Sequence, residues 1–147
     1  MNRRQWLSVW GFAIGTAALP LASAQTHPGS TTAVPTGEPV LQRSASGIDY
    51  ISGGVGEEER TAMMARRSEF PFAVVFEVTD GEYQVADRLS VKTPQGDLLI
   101  VRDAGPIVMM KLPAGRYMLE ADIAGRTEQR AVNVAGAAQT VRWRSEG

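Results

Sequence analysis

From Phe72 onward the apolar residues of this chain recur at every second position, and that period of two decides most of what the chain can become. Phe72, Val74, Phe76 and Val78 alternate with Ala73, Val75, Glu77 and Thr79, the pattern of a strand with one strongly apolar face. Leu89, Val91 and Thr93 alternate with Arg88, Ser90 and Lys92, and Val108, Met110 and Leu112 form a further inward row. Tyr117, Leu119, Ala121 and Ile123 alternate with Arg116, Met118, Glu120 and Asp122 in the cleanest run of all. Leu98 to Arg102 is apolar but less clearly one-sided. Arg126 to Val134 and Gln139 to Arg144 complete seven strands, with Val132, Val134, Val141 and Trp143 inward. The punctuation agrees. Thr93-Pro94-Gln95-Gly96 and Leu112-Pro113-Ala114-Gly115 each set proline at the second turn position and glycine at the fourth. That predicts type I turns closed by a left-handed glycine at both Gly96 and Gly115. Ala124-Gly125 and Ala135-Gly136 mark two more reversals. Seven strands spaced by about ten residues imply an antiparallel sandwich or barrel.

The residues before Phe72 read differently. Arg3 and Arg4 precede an uncharged, largely apolar stretch from Trp6 to Leu21 and then Ala22-Ser23-Ala24, which is the layout of a secretory signal peptide cleaved after Ala24. Gly11, Gly15, Thr16 and Pro20 interrupt the apolar run, against the roughly 20 solidly apolar residues that a membrane span needs. Asn2-Arg3-Arg4-Gln5-Trp6-Leu7 resembles a twin-arginine export signal, and the same two charges suit an ordinary Sec signal. Residues 25–46 are rich in Thr, Ser, Pro and Gly with no apolar period, and read as a disordered leader that contains His27. Residues 47–71 read as a loop and one short helix. Glu57 to Ser68 forms that helix, with Glu57, Glu58 and Glu59 against its positive end, Arg66 and Arg67 at the other, and Phe70-Pro71 stopping it. Residues 72–147 are then the β-sandwich domain.

Composition excludes several chemistries. The 147 residues hold no cysteine and one histidine, which removes disulfides, thiol catalysis, a lipoprotein anchor and every metal site built on two imidazoles. The 15 basic and 16 acidic side chains nearly cancel, so bulk charge points to neither nucleic acid nor a membrane surface. Gly53, Gly54 and Gly56 before a helix suggest a phosphate loop. No Lys-Ser or Lys-Thr follows, though, and three glutamates stand where an anion would sit. Lys92 and Lys111 are the lysines available to activate a serine, and neither lies in an S-x-x-K frame. Glu77, Asp87, Glu120 and Asp122 alternate with core positions and are expected in solvent. Met109 and Met110 project to opposite faces of a strand, so they cannot chelate copper together and serve as core filler. Trp143 has an inward phase, which leaves no exposed aromatic platform for a glycan.

Leu112-Pro113-Ala114-Gly115-Arg116-Tyr117, followed by an alternating strand, resembles the carboxypeptidase regulatory-like domains, whose recurring signature is L-P-x-G-x-Y. Asp103-Ala104-Gly105-Pro106 and the segment from Tyr50 to Arg60 are similar to stretches that accompany this domain in short exported proteobacterial proteins. The resemblance spans Gly47 to Arg144. It implies a mainly β fold: a seven-stranded antiparallel Greek-key β-sandwich of the transthyretin (prealbumin) kind, with one short N-terminal helix. In the peptidases this module adjoins a zinc domain and is not itself catalytic. Two enzyme groups on related sandwiches are expected to be absent here. The hydroxyisourate hydrolases need sheet histidines and a Tyr-Arg-Gly-Ser end, where this sequence has Trp143-Arg144-Ser145-Glu146-Gly147. The intradiol dioxygenases hold iron with two histidines and two tyrosines. The expectation is therefore a periplasmic, non-catalytic module that acts through contact with another envelope protein. It has no nucleic-acid partner, no stable membrane anchor, no cofactor, and no catalytic or metal residue to nominate. The alternatives are a small-ligand or glycan binder, and an enzyme with a carboxylate site.

Overall fold

A computed structural model describes residues 38–146; the expected signal peptide, most of the leader and His27 lie outside them. Nine strands are present among the described residues: β1 (Gln42–Arg43), β2 (Asp49–Gly53), β3 (Phe72–Val78), β4 (Ala86–Thr93), β5 (Gly96–Ala104), β6 (Ile107–Met110), β7 (Gly115–Ile123), β8 (Arg126–Val134) and β9 (Gln139–Ser145). They form a five-stranded sheet in the order β1-β2-β6-β3-β9 and a four-stranded sheet in the order β5-β4-β7-β8. The seven expected strands are all there, as β3 to β9. The two added ones fall in segments read as leader and loop. Gln42 and Arg43 pair with Tyr50 and Asp49, and β2 pairs in turn with β6.

The alternation builds the core as its phase requires. Phe72, Val74, Phe76, Val108, Met110 and Trp143 of one sheet share a buried cluster with Leu89, Val91, Leu119, Ala121, Ile123 and Val134 of the other. Two sheets therefore face each other across one apolar interior. The ambiguous phase of β5 has a local cause. The β4–β5 ladder shifts register between Val91 and Lys92, so Leu98 has no partner and the period breaks there.

Two features depart from a plain antiparallel sandwich. First, β3 and β9 run parallel, with Phe72 opposite Gln139 and Val78 opposite Ser145. β9 follows β8 of the other sheet, so it enters beside β3 after a crossover and not through a hairpin. Second, β3 is buried on both faces. Ala73, Val75, Ile107 and Met109 form a second apolar cluster with Ile51, Met63 and Phe70 on the outer side of the five-stranded sheet. Met63 comes from α1 (Glu57–Ala65), shorter than the expected Glu57 to Ser68, and Phe70 follows a 3-10 turn over Arg67–Glu69. Met110 lies in the inner cluster and Met109 in the outer one, on opposite faces as strand geometry demands.

One of the two expected left-handed turn glycines is present. Gly96 has φ 129°, but Gly115 is not among the residues with positive φ. It opens β7 opposite Val134, and the nearest atoms a Cβ there would meet belong to the Tyr117 side chain, the hydroxyl at 3.4 Å and the ring at 3.6 Å. A side chain at Gly115 is thus ordinary contact, not backbone strain. The strained turn lies elsewhere: Ala124 and Gly125 have φ 49° and 76° between the paired Ile123 and Arg126, a type I′ hairpin with alanine where asparagine is preferred. Ala124→Asn should raise stability by about 0.5–1 kcal/mol, read as a higher denaturant midpoint at unchanged slope.

Candidate functional site

The outer face of the four-stranded sheet gathers charge in rows set by strand register. Arg88 lies opposite Asp122, Ser90 opposite Glu120 and Lys92 opposite Met118. On the far side of β7, Asp122 faces Thr127, Glu120 faces Gln129, Met118 faces Ala131 and Arg116 faces Asn133. Glu120 accepts hydrogen bonds from Arg88 Nη2 at 3.0 Å and Gln129 Nε2 at 2.7 Å, with Lys92 Nζ at 2.9 Å. Asp122 accepts from Arg88 Nε at 2.8 Å and Thr127 Oγ1 at 2.5 Å. Ser90 Oγ is buried beneath this network without a hydrogen-bond partner among the described residues.

Glu77 and Glu120 correct the expectation of solvated carboxylates: they are 4% and 7% exposed. Both point away from the inner core, as their place in the alternation predicts. Long cationic side chains then lie over them, stems on the sheet and heads on the carboxylates. Arg142 and Arg144, both on β9, bracket Glu77.

Hydrogen bonds from Lys92 and then Gln129, together with the Lys92 and Arg88 charges, hold the Glu120 carboxyl below its usual range. Thr127 and then Arg88 do the same for Asp122, as Arg43 does for Asp49 and Arg66 for Glu69. A carboxyl depressed on folding stabilises the fold above its unfolded pKa, and that contribution is lost as pH falls through the folded value. The unfolding midpoint should therefore be flat from neutral pH down to about 5 and fall below about 4. Glu120→Gln should make that acid limb shallower. An acid limb of the same steepness in the variant would remove Glu120 from the account.

The glycine-rich segment before α1 is occupied by its own helix. Glu59 Oε2 accepts the Gly54 N–H at 2.8 Å, and a Cβ on Gly53 would lie 2.2 Å from Glu59 Oε1. Arg60 Nη1 donates to the carbonyls of Gly54 and Val55, both at 2.9 Å, and its guanidinium stacks 4.8 Å from the Tyr83 ring centroid. Of the three glutamates, Glu59 is the one that satisfies loop backbone.

Trp143 is fully buried, donates its indole N–H to Glu128 Oε2 at 2.6 Å and lies under the Arg130 guanidinium at 4.5 Å. Among the described residues no group of three or more His, Asp or Glu is arranged to hold a metal ion, and no helix is long and apolar enough to cross a membrane.

Among the described residues β4 is the only strand paired with β5. Hollows of about 440 and 320 Å³ lie beside it, lined on the other side by Gln42, Ser44, Tyr50 and Ser52. Ser44 Oγ donates to Leu98 O at 3.1 Å, and Ile100 is 40% exposed. No protein-family model matches this chain, and no curated protein matches it significantly.

Proposed function

We propose that the chain is an exported, non-catalytic β-sandwich module of the carboxypeptidase regulatory-like kind, which works through contacts with another protein of the cell envelope. In this reading the mature protein begins at Gln25 and is periplasmic. The observation that carries it is the outer edge of β5, which pairs with no strand among the described residues and is met by a side chain only at the Leu98 carbonyl, from Ser44 Oγ. An unpaired strand edge is a template for an incoming strand, and folds usually blunt it with charge. The nine-residue β8 edge carries Arg126, Glu128 and Arg130. The β9 edge carries Arg142 and Arg144, and Arg130 Nη1 already donates to the Arg142 carbonyl. β1 is two residues long. β5 alone among these edges has an uncharged centre, Leu98-Leu99-Ile100-Val101, beside a trough where the side chains of an added strand would lie.

Glu120 and Asp122 are poorly suited to be the general acid of the enzymatic alternative. A general acid near neutral pH needs a raised pKa, whereas Glu120 and Asp122 are held ionised by their cationic and hydroxyl neighbours. The test is a photo-crosslinking residue placed at Ile100 or at Ala131 of β8 in the producing cell. The proposal predicts a discrete adduct from position 100, none from 131, and loss of the adduct when Leu98→Lys charges the edge. Equal labelling from both positions, or none from position 100, would overturn it.

A further inference from the structure

We infer that the outer face of the four-stranded sheet, at the end away from Asp122, is a binding site for a single-chain anionic amphiphile: a fatty-acyl carboxylate. The inference does not depend on the β5 edge. A groove of about 580 Å³ lies there, lined by Lys92, Pro94, Arg116, Met118, Ala131 and Asn133 among others. That volume falls in the range of small-molecule sites, which are mostly apolar with a few placed polar groups. The floor is Met118, 39% exposed, beside the small Ala131 directly opposite it.

Two charged side chains line the groove, Lys92 and Arg116, and they differ in how they are partnered. Arg88 and Lys92 are matched by Glu120 and Asp122. Arg116, in the row beyond Met118, has no ion pair or side-chain hydrogen bond among the described residues, and its cross-strand neighbour is the amide of Asn133. The groove lining therefore sets one unpaired guanidinium and one amide next to uncovered apolar surface, while Arg102 and Asp97 of β5, likewise unpaired among the described residues and opposite Arg88 and Lys92, lie outside that lining. A carboxylate fits the first, since Arg presents paired N–H donors to it. A flexible hydrocarbon chain fits the second, because the groove is an open trough and Met118 is an adaptable side chain. The Glu120 network closes the other end with fixed charge, so the chain lies across the Met118–Ala131 row toward Pro94.

Decanoate, kept below its micellisation concentration, is the probe, and decyltrimethylammonium the control of opposite charge. With the purified protein, decanoate should give saturable binding by calorimetry and shift the amide resonances of Met118 and Ala131, and the cation should do neither. Arg116→Gln should weaken decanoate binding about tenfold, and Met118→Asp should abolish it. Both side chains are exposed, so both variants should melt as the parent does without ligand. Absence of saturable binding, equal binding of the cation, or unchanged affinity in Arg116→Gln would each overturn the inference.

Discussion

Gly105→Ala is expected to remove a large share of the protein's stability, although it adds one methyl group. A Cβ at Gly105 would lie 2.5 Å from the carbonyl oxygen of Gly53 and 2.6 Å from its Cα. Both are backbone atoms of β2, which is paired to β6 at that point, so no side-chain rotation relieves the clash. The Gly105 N–H also donates to Ser52 Oγ at 3.0 Å, and displacement of either segment breaks that bond. Overpacking a tight site costs about 1–3 kcal/mol when neighbours can move; here the neighbour is sheet backbone, and about 3 kcal/mol or more is expected. Small domains hold only about 5–15 kcal/mol in total. A denaturant midpoint close to that of the parent would show that the β5–β6 connection does not cross β2 this closely.

Trp143→Ala should cost about 3–5 kcal/mol, the range for a large aromatic removed from a core. The indole sits 6.0 Å from the Phe76 ring on the neighbouring strand and is fully buried. Its loss also takes the indole N–H from Glu128, leaving that carboxylate the Arg130 guanidinium at 3.9 Å. Trp143→Phe separates the two contributions: it keeps most of the packing and loses the hydrogen bond, so it should fall between parent and alanine variant. If both variants were equally destabilised, the indole–Glu128 bond and not ring packing would dominate at this seam.

Strand positions from Phe72 onward were legible because alternation is a local property. Each residue's face follows from its own place in the run, which is why the inward phases of Leu119, Val134 and Trp143 agree with the structure. Pairing is not local. Nothing between Gln139 and Ser145 says that this strand will lie parallel to β3, since that depends on a crossover from the other sheet. β1 and β2 were missed for a related reason: Gln42 and Arg43 carry no apolar signal, and their strand exists through Tyr50 and Asp49 opposite. Phe70, a helix-stop residue by its place before Pro71, is also an anchor of the outer cluster. The covered carboxylates show the same limit. The outward phase of Glu77 and Glu120 was legible, but their burial comes from arginines and a lysine brought beside them by register. Arg116, Met118 and Asn133 are visible in the sequence only as outward positions on separate runs. The groove they share exists once β7 and β8 pair.

The proposed role rests on a partner adding to the outer edge of β5, and amide hydrogen exchange on the adduct captured through position 100 tests this most directly. Backbone amides that enter a new ladder exchange slowly, while amides left in solvent do not. The account predicts slowed exchange between Leu98 and Arg102 in the complex, with β8 unchanged from Arg126 to Val134. Slowed exchange confined to β8 or to α1, with β5 exchanging as in the free protein, would contradict it.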